Sequence, residues 1–108
     1  MAYVRVIRYR WLPGHTGESP RLAQALAASA AGQAGSRGVR VLCALDGGTE
    51  GLVVFEWESR EALQRHVAAA SLDRIAPWAV PSLHWRTDQS YEVLSAEGCG
   101  EPTTPTPG

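Results

Sequence analysis

The chain opens on a strict alternation of residue types. Residues 2–12, AYVRVIRYRWL, interleave aromatic and β-branched residues with arginines, the period-two pattern of a strand. One face carries Tyr3, Arg5, Ile7, Tyr9 and Trp11, the other Val4, Val6, Arg8 and Arg10, and Pro13-Gly14 stops the run. The period then lengthens. Ser19-Pro20 reads as a helix start, with Ser as N-cap and Pro at the first helical position. Leu22, Ala25, Leu26 and Ser29 recur at helical spacing, and the helix is expected to run to about Ala34. Its alanines favour helix but leave a thin face of small side chains. Gly38 is expected to open a second strand that runs to Leu45. Asp46-Gly47-Gly48 marks a turn, and residues 51–57, GLVVFEW, form a third strand paired to the second as a hairpin. Ser59 then caps a second helix with Glu61 in its first turn, and Leu63, His66, Val67 and Ala70 make the core-facing stripe. Residues 71–79 form a short turn or helical piece, bounded where Pro77 and Pro81 bracket Trp78 and Val80. Residues 82–94, SLHWRTDQSYEVL, read as the last strand, with Asp88 as its candidate break.

The order β-α-β-β-α-β predicts an α+β, ferredoxin-like fold, an antiparallel sheet with two helices on one face. The folded domain is expected over residues 1–95, and residues 96–108 form a Gly/Pro-rich tail expected to be disordered. The second sheet face, read as Val4, Val6, Val41, Cys43 and Val54, is too apolar to stay wet. A homodimer packing sheet against sheet is the expected cover.

Composition narrows the chemistry. The 108 residues, 44% hydrophobic and 19% charged, suffice for one domain with its own core. A net charge of -1 leaves no excess to displace phosphate counterions, so nucleic acid is not an expected partner. No leader or run of about 18 apolar residues suggests export or a membrane span. All ten basic residues are Arg, which excludes Schiff-base chemistry and a phosphate-loop lysine. The two cysteines, Cys43 in an apolar run and Cys99 in the tail, form neither a disulfide framework nor a zinc site, so a reduced, cytoplasmic protein is expected.

The stretch Val53-Val54-Phe55-Glu56-Trp57-Glu58-Ser59-Arg60-Glu61-Ala62-Leu63-Gln64-Arg65-His66 resembles the antibiotic biosynthesis monooxygenase family of dimeric α+β barrels. In that family a strand ends in a Trp-Glu-Ser-like turn, and an acidic helix with an early His follows. Pro13-Gly14 after the first strand fits the same pattern, and the resemblance extends over roughly residues 2–94. It implies a pocket between the sheet and the two helices. It also implies oxygenation of an aromatic polyketide or quinol without metal or flavin, the deprotonated substrate reacting with O2 itself. The protein then supplies a base or anion stabiliser, a dry cavity and oxygen access. The anthrone-oxidising members carry an Asn four residues before the Trp. Val53 stands there in this chain. Their Arg after the second helix has no firm counterpart, Arg74 being the nearest. The heme-degrading branch uses an Asn, a Trp and a His at positions that fall near Ile7, His66 and Ala76 here, and none matches.

The candidate residues follow. His66, on an apolar stripe, has the side chain suited to a general base near neutral pH. Tyr9 is a candidate donor to a developing oxyanion. Trp57, Phe55, Val53, Ile7, Arg5, Trp78 and Trp85 are candidates to line the substrate pocket, Trp57 by stacking on an aromatic ring. Arg5, if inward, needs a carboxylate or an anionic substrate beside it. Each also has a plainer reading as core packing, and the Trp residues as interface. The expectation is a cofactor-independent, metal-free oxygenase taking a small hydrophobic aromatic substrate and O2. A cofactor-free polyketide cyclase or isomerase and a non-catalytic dimeric accessory or binding protein stand as alternatives.

Overall fold

A computed structural model describes residues 2–94, and the tail lies outside the described residues. The elements are β1 (Ala2–Trp11), α1 (Ser19–Ala30), β2 (Ser36–Cys43), β3 (Glu50–Trp57), α2 (Arg60–Ala69), α3 (Leu72–Ile75) and β4 (Leu83–Val93), with single 3-10 turns at Thr16–Glu18 and Val80–Ser82. The four strands form one antiparallel sheet in the order β2-β3-β1-β4. This is the ferredoxin-like order expected from the sequence, with α3 as a short addition.

The alternation of β1 works as its pattern demands. Arg5, Ile7, Tyr9 and Trp11 are buried under the helices, joined from β3 by Val53, Phe55 and Trp57. Leu22, Leu26 and Ala30 of α1 and Ala62 and Leu63 of α2 close the core from above. The molecule is two layers thick, with a shortest principal dimension of 18 Å, as one helix layer on one sheet requires.

Several boundaries move, each for a local reason. Glu18, not Ser19, is the N-cap of α1, because the preceding 3-10 turn carries the chain straight into the helix. The helix stops at Ala30 rather than Ala34. Gly32 takes up positive φ two residues later and ends it, the left-handed C-terminal stop that glycine supplies. Gly38 does not open β2. The strand starts at Ser36, Arg37 is the extra residue where the pairing with β3 shifts register, and Gly38, at positive φ, resumes the ladder opposite Glu56. On α2 the buried positions are Ala62, Leu63 and His66, whereas Val67 is 38% exposed. The apolar stripe is therefore rotated toward α1. β4 runs unbroken through Asp88. Its irregularity lies opposite Arg10 and Trp11. Val41 and Cys43 stand opposite Val53 and Gly51, so they belong to the helix side and not to the open face. That open face carries Val4, Val6, Leu52 and Val54, with Trp85 and Tyr91 on the β4 edge.

Candidate functional site

Between α1 and α2 lies a cleft of ≈ 550 Å³. Its floor is Trp57 and His66, its walls include Ser29, Ala62 and Ala69, and Gln33 and Arg65 also line it. Small residues keep it open: Ala62, Ala68 and Ala69 of α2, Ser29 of α1 and Ala34 beyond its end, whereas none of the alanines within α1 lines it. Ser59 accepts a hydrogen bond from the Ala62 N–H at 3.1 Å, fixing the first turn of α2 and hence the height at which His66 enters the core. The imidazole packs on Phe55 at 4.7 Å and Trp57 at 4.9 Å between ring centroids.

Behind His66 the sequence has put a fully buried arginine. Arg5 is 0% exposed. Its guanidinium forms a fork on Asp88, with Nε 2.9 Å from Oδ1 and Nη2 2.5 Å from Oδ2. The pair meets the rule that a buried Arg requires a charged partner. Nη1 donates to the Ala70 carbonyl at 2.8 Å and lies 2.9 Å from His66 Nδ1. A guanidinium can only donate, so Nδ1 must be the bare, accepting nitrogen, and the ring proton sits on Nε2. Nε2 is 3.0 Å from Ser29 Oγ, and the Ser29 hydroxyl donates to the Leu26 carbonyl at 2.6 Å. Nη1 also lies 3.3 Å from the His66 carbonyl, and both ring nitrogens of His66 and the Ser29 hydrogen thereby have assigned roles. Burial, and next the Arg5 charge, lower the His66 pKa to about 4, with Asp88 opposing them. His66 is neutral at pH 7, with its lone pair already taken.

The other candidates are scattered. Trp57 is 1% exposed and its Nε1–H has no acceptor among the described residues. Arg5 and Phe55 touch His66 from below without lining the cleft. Val53 is buried further along β3. Ile7 is buried too, and it lines a separate cavity of ≈ 190 Å³ with Asp88, Leu72 and Arg86. Tyr9 shares their sheet face but lies across Gly51, where no Cβ would fit. Its hydroxyl is buried without a partner among the described residues, and burial, then Cys43, push its pKa up to about 12. Tyr9 and His66 thus do not meet. Trp78 is half-buried against the core, beneath the Arg21 guanidinium, which lies 3.9 Å from its ring centroid. Trp85 stands on the opposite sheet face, near Arg8, and cannot wall this cleft. Sequence reasoning missed Ser29, Arg65, Gln33 and Asp88 as site residues. For Asp88 the demand of a buried Arg5 for a carboxylate was the available signal.

Among the described residues no cluster of three His, Cys, Asp or Glu side chains is placed to share a metal ion, and no helix is long and apolar enough to cross a membrane.

A sequence search of curated proteins finds no match. Solved structures share the fold. SnoaB, a cofactor-independent oxygenase from Streptomyces nogalater, superposes with a TM-score of 0.71 at 19% identity, covering 89% of this chain and 96% of that one. Rv0793 from Mycobacterium tuberculosis gives 0.73 at 16%, covering 90% and 99%. PA3566 from Pseudomonas aeruginosa gives 0.70 at 18%, covering 87% and 95%. These likenesses concern the fold. The sequence model of one family, antibiotic biosynthesis monooxygenase, matches residues 2–78, a span that includes β1, the Trp57-Glu58-Ser59 turn, His66 and Ser29. The chain belongs to the antibiotic biosynthesis monooxygenase family.

Proposed function

We propose that the protein is a cofactor-independent oxygenase of a polycyclic aromatic polyketide or quinol-like substrate, working as a homodimer. The observation that carries this reading is the apolar cleft floored by Trp57 and His66, in a chain of this family. An aromatic ring fits between the small side chains of the two helices, against the indole of Trp57. Arg65 at the same cleft makes no ion pair among the described residues, which favours an anionic ligand. The donor-rich surroundings favour it too: Trp57 Nε1–H has no acceptor among the described residues, and His66 is fixed as a donor.

The chemistry follows from the substrate. A phenol or enol in the cleft loses its proton to water at the mouth, because the His66 lone pair is engaged by Arg5. His66 therefore acts on the donor side of the reaction rather than as the base. The electron-rich anion transfers one electron to O2. The two radicals join to form a C–O bond, giving a peroxide. The O–O bond then breaks as the second hydrogen leaves that carbon. Net, a substrate CH2 and O2 become C=O and water, the carbon supplying all the electrons that reduce O2. The protein contributes stabilisation of the anion and exclusion of competing water reactions. Tyr9, away from the cleft, is retained as a core residue of the sheet.

Oxygen uptake with a panel of anthrones and hydroquinones tests the proposal. Wild type is expected to consume O2 and release the quinone, and Trp57→Phe to lower kcat/KM about tenfold or more. Turnover that proceeds equally under strict anaerobiosis replaces the oxygenase with a cyclase or isomerase. No turnover of any substrate by metal-free protein, with no binding, leaves the accessory role.

A further inference from the structure

We propose that Arg5, held by Asp88, is a positioning residue that fixes His66 with its proton on Nε2, and that the Ser29 hydroxyl is the group through which this series donates to an oxyanion in the cleft. The second half rests on the oxygenase reading above; the first does not.

Valence fixes the tautomer. Arg5 reaches His66 from β1, with Nη1 2.9 Å from Nδ1. Nε and Nη2 also donate to Asp88 on β4, and Nη1 donates to the Ala70 carbonyl at the end of α2 and lies 3.3 Å from the His66 carbonyl. The guanidinium is anchored at both ends and cannot turn away from the ring. That anchoring is what an isolated His–Ser contact lacks: a free imidazole exchanges its tautomers, whereas here Nδ1–H would face N–H. The groups that face His66 are Arg5 from β1, with Asp88 behind it, Ser29 from α1, and the uncharged Phe55 and Trp57 from β3. Arg65 stands next to it on α2 and lines the same cleft.

Ser29 completes the path. Its Oγ accepts from His66 Nε2–H at 3.0 Å, while its own hydrogen goes to the Leu26 carbonyl. That carbonyl belongs to the body of α1 and already has a helical N–H four residues on to satisfy it. Turning the Ser29 hydrogen away costs one auxiliary bond, the kind that competes only weakly within a helix. The hydroxyl is then free to donate to a phenolate or enolate oxygen in the cleft while still accepting from His66. The two bonds reinforce each other, since an Oγ that accepts from a fixed N–H is a better donor. A neutral imidazole so placed favours the substrate anion without surrendering a proton to it. A charged imidazolium would be expensive to bury against Arg5.

Two measurements test this separately. In ligand-free protein labelled with 15N, the ring nitrogens of His66 are read by NMR from pH 5 to pH 8. Wild type is expected to show a protonated Nε2 and a bare Nδ1 throughout, and Asp88→Asn to show a mixture of both tautomers. A wild-type Nδ1–H, or an Asp88→Asn spectrum like wild type, overturns the positioning role. The second measurement is anaerobic binding of 4-nitrophenol, whose absorption distinguishes phenolate from phenol, alongside nitrobenzene as the neutral isostere. Wild type is expected to bind the phenolate in preference. Ser29→Ala is expected to weaken phenolate binding about tenfold, leave nitrobenzene unchanged, and be rescued by Ser29→Thr. Unchanged phenolate binding by Ser29→Ala overturns the Ser29 step alone. A wild type that binds neither probe overturns that step together with the reading it rests on, while the NMR result still decides the role of Arg5 and Asp88.

Discussion

At the scale of single residues, the structure turns on what a buried imidazole is permitted to do. His66 and Trp57 were legible in the sequence because one interrupts an apolar stripe and the other ends an alternating strand. Asp88 and Ser29 were not, because their partners lie 83 and 37 positions away. Asp88 reads in isolation as a strand breaker. It becomes the counter-ion of Arg5 only once β4 is laid beside β1, with Asp88 opposite Ile7. The neutral state of His66 has a consequence for stability. Its pKa falls from 6.5 in the unfolded chain to about 4 in the native one. Between these values the unfolded chain binds the extra proton, so stability rises with pH across that window. The contribution is fully present above pH 6.5, and is lost as the pH falls toward about 4. A shift of this size corresponds to up to about 3 kcal/mol at about 1.4 kcal/mol per pKa unit. Urea unfolding of wild type and His66→Gln at intervals from pH 4 to pH 7 reads it. The difference between the two is expected to shift in favour of the variant as the pH falls, and a difference that stays flat contradicts the burial of a neutral imidazole.

At the scale of elements, caps and glycines settle what the hydrophobic period leaves open. The pattern gave the type of every strand and of both main helices, but not their ends. Gly32 cuts α1 short, which places Ser29 in its last turn and leaves Gln33 and Ala34 to line the cleft instead of extending the helix over it. The stripe of α2 runs through Ala62 rather than Val67, and Ala62 packs close to Gly35 and lines the cleft without filling it. Ser59 was read correctly as a cap because its neighbours are polar and its position precedes an acidic first turn. Since it satisfies an N–H at the base of the helix that carries His66, Ser59→Ala is expected to cost about 1 kcal/mol. That corresponds to a fall of about 4 °C or more in Tm for a domain of this size. Ser59→Asp is expected to retain wild-type stability, having both a cap oxygen and a favourable charge at a helix start. Thermal unfolding followed by circular dichroism checks both, and a Ser59→Asp that melts with the alanine variant would show that the cap is not the source.

At the scale of the whole molecule, the fold was legible because its two layers are written in two different periods, but a single sheet always has a second face. With the helices on one side and a thickness of 18 Å, nothing among the described residues covers Val4, Val6, Leu52 and Val54, all only half-buried. Trp85 and Tyr91 flank them at one edge and Leu42 at the other, the last 45% exposed. The charges on this face are mixed, with Arg8, Arg10 and Arg40 set against Glu50 and Glu56, so a second copy brings both signs to the seam. A sheet of four strands about 4.8 Å apart and about 30 Å long presents an area comparable with the roughly 800 Å² per partner of a standard stable interface. The expected solution mass is twice 11.6 kDa, read by light scattering after gel filtration. Val54→Arg, at the centre of the face and remote from the cleft, is expected to give a monomer that binds the phenolate probe with weakened affinity only if the partner helps shape the cleft. A Val54→Arg protein that keeps the dimer mass removes the sheet face as the interface, and a wild type of mass 11.6 kDa removes the dimer. Trp85 is judged by the same test: opposite Arg10 on the open face, it is placed for the interface reading rather than the pocket one, because the irregularity between Leu83 and Trp85 breaks the strand period and turns it away from the helix side.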